Sequence, residues 1–169
     1  MKLVFQLVAT VGHADQYSDL DLVGPGQTVQ ALTVRSGKRV SGVGLDITNV
    51  FGQQVNLYHG GDGGDKNTLT LGRGEYITAI EAHWGEKGDH TRIKYIRFNT
   101  TASNTISGGN PTENIGMDSA PVGYQLGGFV GYCGRELVQF GRGSPQLTPH
   151  DKRMTDVAVV TTVGNKVVA

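Results

Sequence analysis

Apolar and polar residues alternate with a period of two along most of the chain. "TVQALTVRSG" (28–37), "RVSGVGLDIT" (39–48), "QQVNLYH" (53–59), "EYITAIEAHW" (75–84) and "RIKYIRFNT" (92–100) are β-branched or aromatic runs of this kind. Such spacing puts one face of a strand in a core and the other in water. Glycine, or a cluster of Asn, Asp and Ser, bounds each run, and these are residues that end strands in turns. No window carries a helical period. The pattern predicts an all-β fold, either a sandwich or a closed prism or barrel.

A threefold rhythm lies beneath the alternation. "SGKRVSGVGLDI" (36–47), "RGEYITAIEAHWG" (73–85) and "CGRELVQFG" (133–141) each show a glycine, four residues and an alternating strand. Glycine-rich turns accompany them: "VGHADQYSD" (11–19), "YHGGDGG" (58–64) and "ISGGNPT" (106–112). Repeats of this kind suggest three similar sheets about an approximate threefold axis. The rhythm stops at Gly141. "RGSPQLTPHDKR" reads as a loop or linker, and "MTDVAVVTTVGNKVVA" as a Val-rich strand, a turn and a short partner. The expected division is therefore a domain over 1–141 and a divergent tail over 142–169. The tail is free to complete a sheet of the domain, to pair with another subunit, or to lie loose.

Composition narrows the classes. The 169 residues suit one domain. Fifteen basic residues balance fifteen acidic ones, so no net field draws in nucleic acid or anionic lipid. A single cysteine, Cys133, excludes an intrachain disulfide. In "MKLVFQLVATVGHA" the apolar run is brief and Gln6 interrupts it, so the segment reads as a first strand rather than a signal peptide. No apolar stretch is long enough to span a bilayer. The expectation is a soluble protein, cytoplasmic or non-classically secreted, without membrane insertion.

The densest chemistry is "YHGGDGGDKNTL" (58–69), with four glycines and two aspartates. A phosphate loop leads into a helix N-terminus, whereas Asp65-Lys66-Asn67 leads into "TLTLG", another strand. Gly60 to Asp65 spells the start of a calcium β-roll repeat, yet that motif works by stacked copies and only one is present. Calcium also wants six or more oxygens. The histidines at 13, 59, 83, 90 and 150 have no helical metal spacing, and no G-x-S-x-G turn occurs. Glu81 and His83 share one side of a strand and read as a polar outward face. These observations predict no enzyme, no metal and no cofactor.

"YHGGDGG", "GRGEYITAIEAHWG", "TRIKYIRFNT", "TISGGNP" and "GYQLGGFVGYCGRELVQFG" together resemble the jacalin-related lectins, in the right order over about residues 1 to 141. The resemblance implies a β-prism of three four-stranded antiparallel sheets with pseudo-threefold symmetry. It also implies non-catalytic, metal-independent binding of glycans, commonly mannose-type or galactose-type, by proteins that are often dimers or larger. A glycine turn lets backbone N–H groups approach sugar hydroxyls. A facing G-x-x-x-D loop supplies a carboxylate that accepts two hydroxyl hydrogens.

Carried onto this chain, a first candidate site pairs Gly12, His13 and Ala14 with Gly134, Arg135, Glu136, Leu137 and Val138. The second pairs Gly60, Gly61 and Asp62 with Gly37, Lys38, Arg39, Val40 and Ser41. A third pairs Gly108 and Gly109 with Gly74 to Thr78. Val138, Ser41 and Thr78 stand where the pattern has aspartate, and one lost charge-assisted hydrogen bond costs about 1.5–3 kcal/mol. The second site, with its glycine loop intact, carries the greater weight. Trp84, in "WGEKGDH", is either a sugar-stacking ring or a core cap.

Two function classes follow. One is a mannose-type glycan-binding lectin acting through a homo-oligomer, with a dimer foremost. The other is a β-prism that has lost sugar and serves as a structural or protein-interaction module. A calcium-binding surface loop is a third reading.

Overall fold

The computed structural model describes residues 2–3, 15–19, 21–24, 26–87, 90–120, 123–133, 137–140 and 158–163. Thirteen strands and no helix occur among them: β1 (Lys2–Leu3), β2 (Asp15–Ser18), β3 (Thr28–Ser36), β4 (Val40–Thr48), β5 (Gln54–Gly60), β6 (Asp65–Thr70), β7 (Ile77–Lys87), β8 (His90–Thr100), β9 (Thr105–Gly109), β10 (Asn114–Ser119), β11 (Tyr124–Cys133), β12 (Leu137–Phe140) and β13 (Ala158–Val163). All pairings are antiparallel. Two four-stranded sheets have the orders β5-β4-β3-β6 and β10-β7-β8-β9. A five-stranded sheet runs β1-β13-β11-β12, with β2 also on β11. The fifth strand departs from the expected four, because β13 takes a place beside β11.

Alternation drives the packing, and bulges correct its phase. In β3, Val29, Leu32 and Val34 are buried, with a register shift between Val29 and Ala31. That shift returns the apolar set to the core side, where a regular strand would turn it outward. Val43, Leu45 and Ile47 of β4, Ile80 and Ala82 of β7, and Ile93, Ile96 and Phe98 of β8 join the same core cluster. The Phe98 ring meets Phe129 of β11 edge-on, with centroids 6.2 Å apart, a favoured aromatic geometry.

The two four-stranded sheets repeat one topology. Each is a hairpin (β3–β4, β7–β8) whose second strand carries the next strand in sequence, while its first strand carries the one after. This corrects part of the threefold pattern. The run at 36–47 forms a hairpin turn and second strand, whereas 73–85 forms a first strand. Both share the string of glycine followed by alternation, which encodes a strand after a turn but not its place in a hairpin.

Two buried carboxylates tie segments across the core. Asp19, between β2 and β3, accepts Phe129 N–H on Oδ2 at 2.8 Å and His59 Nε2 on Oδ1 at 2.7 Å. It thereby links β5 to β11. Glu75, leading into β7, accepts the Thr100 hydroxyl, Gly72 N–H at 2.8 Å and Asn104 Nδ2 at 2.6 Å. These donors, Thr100 first, hold its carboxyl below the usual carboxylate range against the opposing effect of burial. A group whose folded value is lowered adds stability above its unfolded value and loses it as pH falls through the folded one. Glu75→Gln should therefore lower the melting temperature at neutral pH, with the difference from wild type shrinking on acidification. Thermal melts across pH 2–7, roughly the span of carboxylate titration, check this.

Candidate functional site

The register brings the second candidate pair of loops to one end of the β5-β4-β3-β6 sheet. Ser36 stands opposite both Val40 and Asp65, and Gly42 opposite Gly60. The β3–β4 turn (37–39) and the β5–β6 turn (61–64) are therefore neighbours. A Cβ built on Gly37 would lie 3.9 Å from the Gly64 Cα.

The glycines are there because side chains do not fit. Gly60 has φ +122°, and a Cβ on it would overlap the Ser41 carbonyl. Gly64 has φ +70° and abuts the Ser36 backbone. L side chains rarely adopt either conformation. The turn is then held from three sides. Gly61 N–H donates to Ser41 O at 3.0 Å. The Tyr58 hydroxyl donates to Gly61 O. Arg35 Nη1 donates to Asp62 O at 2.7 Å and Gly64 O at 3.0 Å.

Arg35 and Tyr58 hold the turn in place, which the sequence did not reveal. Gly42 and Gly44 of β4 make room for the Tyr58 ring: a Cβ on either would collide with it. The sequence signal was the G-x-G of "SGVGL" interrupting an otherwise β-branched strand. Tyr58→Phe keeps the ring and removes the tie. Tyr58→Phe combined with Arg35→Ala should raise amide exchange at residues 61–64 by roughly tenfold or more, since each lost bond is worth about 1 kcal/mol. Hydrogen exchange read by mass spectrometry checks it.

The predicted residues fall into distinct settings. Val40 is fully buried in the core, and Ser41 is 8% exposed. A Cβ on Gly63 would lie 3.4 Å from the Ser41 hydroxyl, so the serine lies against the glycine turn. Lys38, Asp62 and Gly63 are exposed, while Arg39 and Gly61 are half-buried. Gly37 N–H donates to Arg39 O at 3.0 Å. The exposed rim therefore offers backbone N–H groups, the Asp62 carboxylate and the Lys38 ammonium. Gly61 N–H is occupied by Ser41 O.

Of the first candidate site, Gly12, His13, Ala14, Gly134, Arg135 and Glu136 lie outside the described residues. Leu137 and Val138 open β12, and Cys133 stands opposite both Leu137 and Asp15. The backbone on either side of the two segments thus comes together. The third pairing is not assembled. Gly109 stands opposite Tyr95 in the middle of β8, whereas Ile77 is paired with Thr100 at that strand's end. Gly74 to Thr78 therefore lie by the β8–β9 connection.

Glu81 and His83 do not form a solvated face. His83 Nδ1 accepts Thr112 N–H at 2.9 Å, so its Nε2 carries the proton and donates to Glu81 Oε1 at 2.6 Å. Arg97 Nη2 reaches Glu81 Oε2 at 2.6 Å. The His83 side chain is 5% exposed, and the network is a structural tie between β7, β8 and the β9–β10 loop. Trp84 is partly buried against the core cluster. No group of three or more His, Cys, Asp and Glu that could hold a metal occurs among the described residues. No helix there is long and apolar enough to cross a membrane.

With antiparallel sheets, glycine turns and an exposed polar rim in place, comparison with known proteins identifies the class. The chain matches the Jacalin-like lectin domain over residues 8–142 and belongs to that family. It is 29% identical over 133 residues to secreted RxLR effector protein 19 of Plasmopara viticola, covering 76% of this chain and 73% of that protein. Its fold is similar to that of AcmJRL, a mannose-binding jacalin-related lectin from Ananas comosus, with a TM-score of 0.68, 15% identity and coverage of 95% and 98%. It is also similar to the mannose-binding lectin from Champedak, with a TM-score of 0.67, 10% identity and 95% of each chain covered.

Proposed function

We propose that this protein is a non-catalytic, metal-independent lectin for mannose-type glycans. In this reading its sheets close into a β-prism with pseudo-threefold symmetry, in which residues 1–141 form the domain and the tail of 142–169 adds β13 to its five-stranded sheet. The observation that carries the proposal is the turn at 60–64, in which Gly60 and Gly64 leave no room for side chains and which is pinned beside the β3–β4 turn. Such a shallow rim of backbone donors suits sugar hydroxyls. Asp62, exposed on that turn, takes the role of the carboxylate missing at Ser41. It accepts two hydroxyl hydrogens in charge-assisted bonds, and Lys38 donates from the facing turn. Similarity to two lectins described as mannose-binding supports the sugar class.

Single shallow sites are weak, so useful affinity comes from several sites joined in a homo-oligomer, which we take to be a dimer. The expected result is binding to clustered mannose-rich glycans on an array, with free mannose much weaker by calorimetry. Absence of binding in both assays would remove the reading.

A second reading, an interaction module that has lost sugar, draws on the valine at 138 and the covered serine at 41. It predicts a glycan array that stays blank and a partner that is retained by the domain.

A further inference from the structure

We propose that the β4–β5 turn (49–53) is a contact for the headgroup layer of a zwitterionic lipid bilayer, with Val50 and Phe51 as the side chains that leave water. Phe51 is 84% and Val50 55% exposed, at neighbouring positions on the tip of the turn. Exposed apolar surface gathered in one place marks an interaction site. The turn does not fold these side chains away, because Asn49 fixes its shape. Asn49 Oδ1 accepts the N–H groups of Phe51 at 3.0 Å and Gln53 at 2.9 Å, and its Nδ2 donates to Gln53 Oε1 at 3.0 Å. Asn49 N–H donates to Gln53 O at 2.8 Å, and Gly52, with φ +78°, donates to Asn49 O at 3.0 Å. A Cβ built on Gly26 would lie 3.8 Å from Val50 Cγ1, so the segment entering β3 supports the turn from the side.

Charge and shape select the partner. No Asp, Glu, Lys or Arg occurs between Asp46 and Asp62, so the turn offers no ion pair to a protein and no attraction to anionic lipid. Gln53 and Gln54, exposed beside the tip, are neutral amides that exchange hydrogen bonds with headgroups and water. Leu71 N–H donates to Gln30 O and brings the β6–β7 connection to the same end of the sheet. Arg73, exposed on that connection, matches a lipid phosphate. A convex tip buries both side chains at once only in a medium that closes around it, and phenylalanine is among the side chains that enter the boundary of headgroups and acyl chains. The expectation of no membrane insertion rested on the length of apolar runs, and a turn that enters the headgroup layer spans nothing. The glycine turns lie at the opposite end of the sheet, the length of the nine-residue β4 away. A chain seated on lipid therefore keeps them clear of the surface.

The test is flotation of the full chain with phosphatidylcholine vesicles over a range of lipid concentrations. The vesicles carry no sugar, so the outcome is independent of glycan binding. Wild type should float with them, with and without added phosphatidylserine alike. Phe51→Ser should lower the partition roughly ten- to a hundredfold, the effect of one large apolar side chain kept in water. Lys66→Ser, at the glycine-turn end of β6, should float like wild type, and both variants should keep the wild-type circular dichroism spectrum. Phe51→Trp should float, shift its emission to shorter wavelength on the vesicles and be quenched by brominated lipid, against a background of Trp84 alone. If Phe51→Ser fails to fold, Phe51→Trp decides the matter. A wild type that stays off the vesicles, flotation that requires phosphatidylserine, a folded Phe51→Ser that floats like wild type, a Lys66→Ser that does not, or a Phe51→Trp without shift or quenching would each overturn the proposal. So would a protein pocket that takes up Phe51 while vesicles leave the chain in solution.

Discussion

Replacing Asp19 with alanine should lower the melting temperature by roughly 4–24 °C. Taking a buried acceptor away from its donors costs about 1–3 kcal/mol for each of the two, and a chain of this size shifts about 2–4 °C per kcal/mol. The Asp19 side chain is 1% exposed, and its two oxygens satisfy Phe129 N–H and His59 Nε2. Alanine removes the buried acceptor of the Phe129 N–H and the carboxylate tie between β5 and β11. His59, whose side chain is 16% exposed, should cost less when replaced by alanine, because Asp19 keeps the Phe129 bond. A double-mutant cycle of Asp19→Ala and His59→Ala, read by differential scanning calorimetry, should give a combined loss smaller than the sum. Strict additivity would mean that the two side chains do not act together.

Gly60→Ala should have the largest effect on ligand binding. With φ at +122° and the Ser41 carbonyl in the space a Cβ would fill, an alanine cannot enter without moving the turn. Strained backbone of this kind costs about 1–3 kcal/mol, and here the strain falls on the Gly42–Gly60 pair that starts the turn. The Gly61 bond to Ser41 O and the Arg35 bonds to Asp62 O and Gly64 O depend on that start. The expected outcome is glycan affinity reduced by at least about tenfold, the loss of one good hydrogen bond. The melting temperature should fall by about 2–12 °C. Parallel calorimetric titration and thermal melts separate the two effects.

What the sequence revealed, it revealed through local periodicity. The runs at 28–37, 39–48, 53–59, 75–84 and 92–100 fall on β3, β4, β5, β7 and β8 to within a few residues. Strand propensity and turn chemistry are encoded within each segment. Contacts between distant segments were not legible in this way. The Arg35 tie to Asp62 and Gly64, the Asp19 bond to Phe129 and the Glu75 bonds to Thr100 and Asn104 span 25 to 110 residues. The third pairing of loops failed because a glycine before an alternating run looks the same whether it opens a first or a second hairpin strand. Ser41 could be placed at the correct end of the sheet from its spacing. That it is buried against the glycine turn goes with the bulged register between Arg35 and Ser36, which no pattern of apolar residues marks.

In the proposed lectin the turn at 60–64 binds sugar and Asp62 is its carboxylate, which titration of a mannose-rich oligosaccharide into wild type and Asp62→Ala, side by side, puts to the test. Asp62 is exposed, and its backbone carbonyl, the atom held by Arg35, is unchanged by the substitution. The fold should therefore be unaffected. Measurable binding by wild type, weakened roughly ten- to a hundredfold in Asp62→Ala at an unchanged melting temperature, is the predicted result. Equal affinities in the two proteins, or no heat of binding in either, would contradict the claim.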